Sequence, residues 1–252
     1  MQTTCVSTDS DTLNTGDIPA GNLSPDASTL TNDNESGQKK DTLYIVMPAY
    51  NEEANIEQVV SKWYPLLEYG SEESRLVIAD SGSNDKTHLI LENLQQNFPR
   101  LVLLSDTIRY HGPKVIALYN YAIGCGADYV FQTDSDDQTR PEEFTAFWQA
   151  RQQYDAIFGL RRVRGDGRVR GFVEKIVCLL VLCFFGVHVP DANAPFRLMK
   201  CSVLKQYMSA FSPDYNLPNI LITTFFVFYR HRVCFKEISF RPRMAGTNSI
   251  NV

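Results

Sequence analysis

Residues 130–143 read VFQTDSDDQTRPEE. Val130 to Thr133 has the character of the end of a buried strand. The chain then sets Asp134, Asp136 and Asp137 within four positions and breaks at Arg140-Pro141. Carboxylates this close raise one another's pKa and repel, so a folded chain gathers them only where another charge compensates. A divalent cation is one such charge, and clustered carboxylates beside an amide oxygen suit a hard ion such as Mg2+ or Mn2+. The other reading is an acidic turn capping the next helix, because Asp and Glu favour a helix N-terminus. The flanking sequence favours the first.

Outward from this stretch the pattern is strand, helix, strand, helix. Leu43 to Met47, LYIVM, is a short apolar run ending at Pro48, and Ile56, Val59, Val60, Trp63, Leu66 and Leu67 then recur at helical spacing. Leu76 to Ala79 is a second strand ending at Asp80, and the turn Ser81-Gly82-Ser83-Asn84 leads into a helix through Asp85. Leu101 to Leu104 is a third strand and Lys114 to Gly124 a third helix. Tyr129 to Thr133 is the fourth strand, and Pro141 opens the fourth helix from a favoured first-turn position. Such alternation with short connections predicts an α/β fold, a largely parallel sheet with helices on both faces. Ligands of open sheets of this kind bind beyond the carboxyl ends of the strands. Three of the strands deliver polar groups there: Tyr50, Asn51 and Glu52 after the first, Asp80 after the second, Asp134 and Asp136 after the fourth.

The 252 residues suffice for one such domain over 41–252. Residues 1–40 are rich in Ser, Thr, Asn and Asp and hold no aromatic residue, which predicts a disordered tail. Hydrophobic residues make up 44% and charged ones 21%, as in a soluble globular protein, and a net charge of −5 argues against a general nucleic-acid binder. No apolar run reaches the ~20 residues of a bilayer-spanning helix, and the N-terminus lacks the pattern of a secretory signal. Cys5, Cys125, Cys178, Cys183, Cys201 and Cys234 form no CxxC pair. They read as reduced structural residues, which points to the cytoplasm.

Phe158 to Glu174, FGLRRVRGDGRVRGFVE, sets Arg161, Arg162, Arg164, Arg168 and Arg170 against Asp166 and Glu174. Its glycines predict a flexible basic loop, either phosphate-binding, for which the arginine fork is suited, or merely solvated. Ile176 to Val189 follows as an apolar segment, read as a core helix, a transmembrane fragment or a helix lying at a membrane surface. A basic loop followed by a greasy segment is what a phosphate head on a lipid tail requires. Asn219 to Tyr229 reads as a core or membrane-facing helix, the core reading being favoured, Val233 to Phe240 as a strand, and His188 as a packing residue.

PAYNEE (48–53), ADSGSNDKT (79–87), Lys114 and TDSDDQ (133–138) together resemble the family 2 glycosyltransferases with a GT-A nucleotide-diphospho-sugar fold. The resemblance runs from about Leu43 to the C-terminus and is strongest to the dolichol-phosphate mannosyltransferase and polyprenyl-phosphate glycosyltransferase branch. It implies that Pro48, Tyr50 and Glu52 cradle the nucleotide, that Asp80 contacts the base, and that Lys114 and Ser135 bind the donor. Asp134 and Asp136 match the family's DxD pair, with Gln138 at a third metal position. Arg161 and Arg170 become candidates for the acceptor phosphate. Asp191, in VPDANAPFRLMK (189–200), orients the acceptor, acts as a base, or caps a loop. Arg243, in the closing RPRMAGTNSIN, would pair with the donor pyrophosphate, and Gly246 would let that loop close. Asp80-Ser81 departs from the two adjacent aspartates of many relatives, which leaves base and sugar preference open.

The expected activity is an inverting, metal-dependent hexosyl transfer from a nucleotide sugar of the GDP-mannose or UDP-glucose type to a polyprenyl phosphate, by a peripheral protein at the cytosolic membrane face. Two other readings stand beside it: a glycosyltransferase acting on a hydroxyl acceptor in cell-surface polysaccharide assembly, and a catalytically silent, nucleotide-sugar-binding partner subunit.

Overall fold

The computed structural model describes residues 40–161 and 168–241, with only the backbone of 168–170. The N-terminal tail up to residue 39, Arg162, Arg164, Arg243 and Gly246 lie outside the described residues, as does the Arg170 side chain.

Seven strands form one sheet in the order β3-β2-β1-β4-β6-β5-β7. They are β1 (Leu43–Ala49), β2 (Arg75–Asp80), β3 (Leu101–Leu104), β4 (Tyr129–Gln132), β5 (Ala156–Leu160), β6 (Arg197–Lys200) and β7 (Val233–Glu237). β6 runs against its neighbours β4 and β5, and every other pairing is parallel. The helices are α1 (Ile56–Trp63), α2 (Thr87–Gln95), α3 (His111–Gly124), α4 (Phe144–Ala150), α5 (Arg168–Phe185), α6 (Cys201–Met208) and α7 (Pro218–Phe228).

All seven residues of β1 are buried, as expected of a strand covered on both faces. Its side chains alternate between two cores. Tyr44 and Val46 join Val77, Val130, Phe158 and Phe235 under α3, α6 and α7. Leu43, Ile45 and Met47 join Leu76, Phe131 and Leu198 under α1, α2 and α4. Phe131 is the hub of the second core, with ring centroids of Phe196 at 4.7 Å, Phe144 at 4.9 Å and Trp63 at 5.6 Å. The chain winds outward from β1 through β2 to β3 and then returns to lay β4 on the other side of β1. The β1/β4 boundary is therefore the switch point, where the connections leaving the strands part and open a crevice.

One expectation is corrected. Phe158 to Glu174 is not one basic loop: Phe158–Leu160 ends β5, and from Arg168 the chain is helical through Gly171. A glycine inside a helix costs only about 1 kcal/mol. Here the turn around it is anchored by Glu174, whose Oε1 accepts from the backbone N–H groups of Ala192 and Asn193 at 2.9 and 3.3 Å. The apolar segment ends as helix at Phe185, before Gly186 at φ 69°. Cys125, Cys178, Cys183 and Cys201 are free thiols.

Candidate active site

The acidic turn after β4 is tied down on several sides. Ser135 Oγ donates to the Pro48 carbonyl at 2.9 Å, and Thr133 and Thr139 share a hydroxyl contact at 2.7 Å. The Gln138 N–H donates to Asp136 Oδ1 at 3.1 Å. Between them Asp137 takes a left-handed conformation, φ 57°, and sends its carboxylate away to Lys62 of α1, whose ammonium reaches both oxygens at 2.9 Å. This sorts the three carboxylates: Asp137 has its own cation, while Asp134 and Asp136 line a cavity of about 580 Å3.

The cavity lies at the switch point. Pro48, Ala49, Tyr50 and Glu52 after β1, and Asp134, Ser135 and Asp136 after β4, form part of its wall. The β1 turn is held by the turn after β2: the Asn51 N–H donates to Ser83 Oγ at 3.0 Å, and the Glu52 N–H to Thr87 Oγ1 at 2.7 Å. Glu52 is buried and accepts from Asn55 Nδ2 at 3.0 Å.

The remaining wall comes from the segment after β3 and the start of α3: Arg109, Tyr110, His111, Gly112 and Lys114. Lys114 is 1% exposed and donates from Nζ to the Ala49 carbonyl at 2.6 Å. Burial pulls its pKa down to about 8, a fall the Asp80 charge opposes and the Arg109 charge adds to. His111 Nε2 stands 3.4 Å from Asp134 Oδ1. Asn216 and Leu217, ahead of α7, close the wall; a Cβ on Gly112 would meet the Asn216 backbone at 2.4 Å, so this approach requires glycine.

Pro48, Tyr50, Glu52, Lys114, Asp134, Ser135 and Asp136, singled out from the sequence, thus meet at one cavity. Asp80 stands beside it: registered against Ala49, it is buried and takes Ser83 Oγ and His88 Nδ1, the latter at 3.1 Å. Gln138 is also outside the lining, with Nε2 donating to the Arg241 carbonyl at 2.7 Å. Arg161 and Asp191 are paired with each other, Nε and Nη2 reaching the two carboxylate oxygens at 2.8 Å each, with side chains 6% and 4% exposed. Neither lines the cavity. Arg109 and His111 were missed. Their signal was present, since RYHGPK (109–114) follows the third strand's carboxyl end, where an arginine, a histidine and a lysine have the same claim as Asp80.

Among the described residues no three of His, Cys, Asp and Glu gather as a metal-holding group. Two carboxylates on one cavity wall nonetheless fit a Mg2+-like ion, which is commonly held by one or two carboxylates and completed by substrate phosphates and water.

A family model described as glycosyl transferase family 2 matches residues 44–208. The undecaprenyl-phosphate 4-deoxy-4-formamido-L-arabinose transferase of Proteus mirabilis (strain HI4320) is 26% identical over 192 residues, 75% of this chain and 57% of the relative. The transferase of the same name from Aeromonas hydrophila subsp. hydrophila is 29% identical over 164 residues, 64% of this chain and 49% of the relative. The chain thus spans about half the length of the curated relatives it matches. Among solved structures, glucosyl-3-phosphoglycerate synthase from Mycobacterium tuberculosis in complex with Mn2+ and UDP-glucose has a TM-score of 0.61 at 20% identity, over 83% of this chain and 72% of that one. That likeness speaks to the fold, which is GT-A. With the family model matched over well beyond half its length, the chain belongs to glycosyl transferase family 2.

Proposed function

We propose that the protein transfers a sugar, with inversion, from a nucleotide-diphospho-sugar to a polyprenyl phosphate at a membrane surface. The observation that carries this reading is the single cavity at the β1/β4 switch point, which gathers two carboxylates, Asp134 and Asp136, with the buried cation Lys114. The names of the curated relatives, transferases of undecaprenyl phosphate, support the acceptor class.

In this reading Asp134 and Asp136 hold Mg2+ or Mn2+. When bound, the ion neutralises charge on the departing nucleoside diphosphate. Lys114 adds positive charge from the other wall, and Pro48, Tyr50, Glu52 and Ser135 shape the nucleotide's seat. Gln138 and Asp80 support from behind, Gln138 by joining the acidic turn to the segment at Arg241 and Asp80 by holding the turn before α2. Arg243, from the segment that follows Arg241, is the candidate for the pyrophosphate. The acceptor phosphate, with a second pKa of about 6, is already an anionic nucleophile near neutrality and needs no general base. Asp191, gripped by Arg161, then positions rather than abstracts: the pair joins the end of β5 to the loop before β6 on the acceptor side. Arg170 remains the candidate for direct phosphate contact.

The lipid tail has a counterpart in α5. Phe172, Ile176, Leu179, Leu180 and Phe184 recur at helical spacing and are exposed, Phe184 by 80% and Phe172 by 65%, while Glu174 is turned inward. A helix whose carboxylate faces the protein and whose leucines face out suits an apolar surface. No helix among the described residues is long and apolar enough to cross a membrane.

Labelled UDP- and GDP-sugars incubated with extracted lipid and Mn2+ test the reading. An acid-labile lipid product is expected, reduced at least ~100-fold in Asp136→Asn. An acid-stable product on a hydroxyl acceptor would overturn the acceptor assignment, and full turnover in Asp136→Asn would overturn the metal role.

A further inference from the structure

Two cations lie over the ring of Tyr50: the Arg109 guanidinium carbon at 5.1 Å from its centroid and Lys114 Nζ at 5.3 Å. Arg109 also donates to the Tyr50 hydroxyl. Its stem lies against Gly82, where an added Cβ would come within 2.9 Å of Arg109 Cγ. The guanidinium is thus steered by Tyr50 and Gly82, and both cations line the cavity. Neither makes an ion pair with a carboxylate among the described residues. Lys114 spends one donor on Ala49 and Arg109 one on Tyr50, so most of their N–H groups remain for a ligand.

The Arg109 and Lys114 charges repel across one aromatic ring, Asp80 offsets part of that repulsion at Lys114, and an anion between the two cations would offset more. We propose that Arg109 is a donor-binding residue, its guanidinium fork closing with Lys114 on the phosphates of the nucleoside diphosphate. This rests on the donor reading above and adds a residue to it. The planar fork matches two phosphate oxygens, and the contacts with the Tyr50 ring and hydroxyl hold the guanidinium in place before the ligand arrives, so less freedom is lost on binding. The neighbouring carboxylates Asp134 and Asp136 cannot take phosphate unaided, so cations on this side decide how tightly the diphosphate is held before transfer.

The test is calorimetric titration of the full chain in Mn2+ with UDP and GDP and with their monophosphates, for wild type, Arg109→Ala and Arg109→Lys. Arg109→Ala is expected to weaken the better diphosphate about 10- to 100-fold, with a smaller loss for its monophosphate. Arg109→Lys keeps the charge without the fork and should fall between. Arg109 is exposed, so unfolding temperatures should stay at the wild-type value. Equal diphosphate binding by wild type and Arg109→Ala overturns this inference alone, as does an equal loss for mono- and diphosphate. Failure of wild type to bind either diphosphate overturns the donor reading together with it.

Discussion

Burial holds the Lys114 ammonium at a pKa of about 8, well below the usual 10.5 of lysine. Below about pH 8 the side chain is charged and attracts a diphosphate; above it that attraction is lost. Donor affinity is therefore expected to fall as the pH rises through about 8, by at most about tenfold per pH unit for one proton. Stability of the free protein runs the other way. An unfolded lysine keeps its proton to about 10.5, so between the two values the unfolded state binds more protons and folding is favoured by rising pH. Lys114→Met should flatten both dependences, read by calorimetry and by thermal unfolding between roughly pH 7 and 9.5. A pH-dependent affinity that survives this substitution unchanged would assign the titration elsewhere. Asp137, in the same acidic run as Asp134 and Asp136, is removed from the cavity by one left-handed backbone angle and by Lys62.

The start of α3 does more for the cavity than any other helix terminus. It brings His111 to Asp134, Lys114 to Ala49, and Gly112 against the backbone of Asn216. That last contact joins α3 to the segment ahead of α7, since a Cβ at 112 would lie 2.4 Å from Asn216 backbone atoms. Gly112→Ala is expected to cost roughly 1–3 kcal/mol, as overpacking does, and to push Asn216 and Leu217 off the wall. Thermal unfolding and nucleoside diphosphate affinity should drop together; a variant that matches wild type in both would show that the segment yields freely. α5 shows the converse case. Its inward face is fastened through Glu174 and Val181, and its outward face has no protein to cover it among the described residues.

One continuous seven-stranded sheet carries both the cavity and, through β5 and β6, the Arg161–Asp191 clasp that borders α5. If α5 seats the protein on a lipid surface, that contact and donor binding are separable. Leu179→Glu combined with Phe184→Glu is expected to abolish co-sedimentation with vesicles containing anionic lipid, since each exposed side chain removed forfeits about 1.5–3 kcal/mol of apolar burial. Nucleoside diphosphate affinity should not change. Undiminished vesicle binding by the double variant would remove α5 from the interface.

The β/α alternation, the parallel sheet and the family were legible in the sequence, because burial on both sheet faces writes apolar runs and helical spacing directly into local order. The residues following β1 and β4 were legible for the same reason: strand ends are visible, and polar residues just past them have few other uses. The reversed strand β6 and the start of the Arg168–Phe185 helix were not. One is too short to carry a period, and the other hides its start behind glycine and charge. What the tertiary structure alone decided is pairing. Lys62 with Asp137, Arg161 with Asp191, and Arg109 with Tyr50 join residues 75, 30 and 59 positions apart. Spacing records whether a residue is buried, not which distant group it will face, and at this site the facing groups determine which charges remain for a substrate.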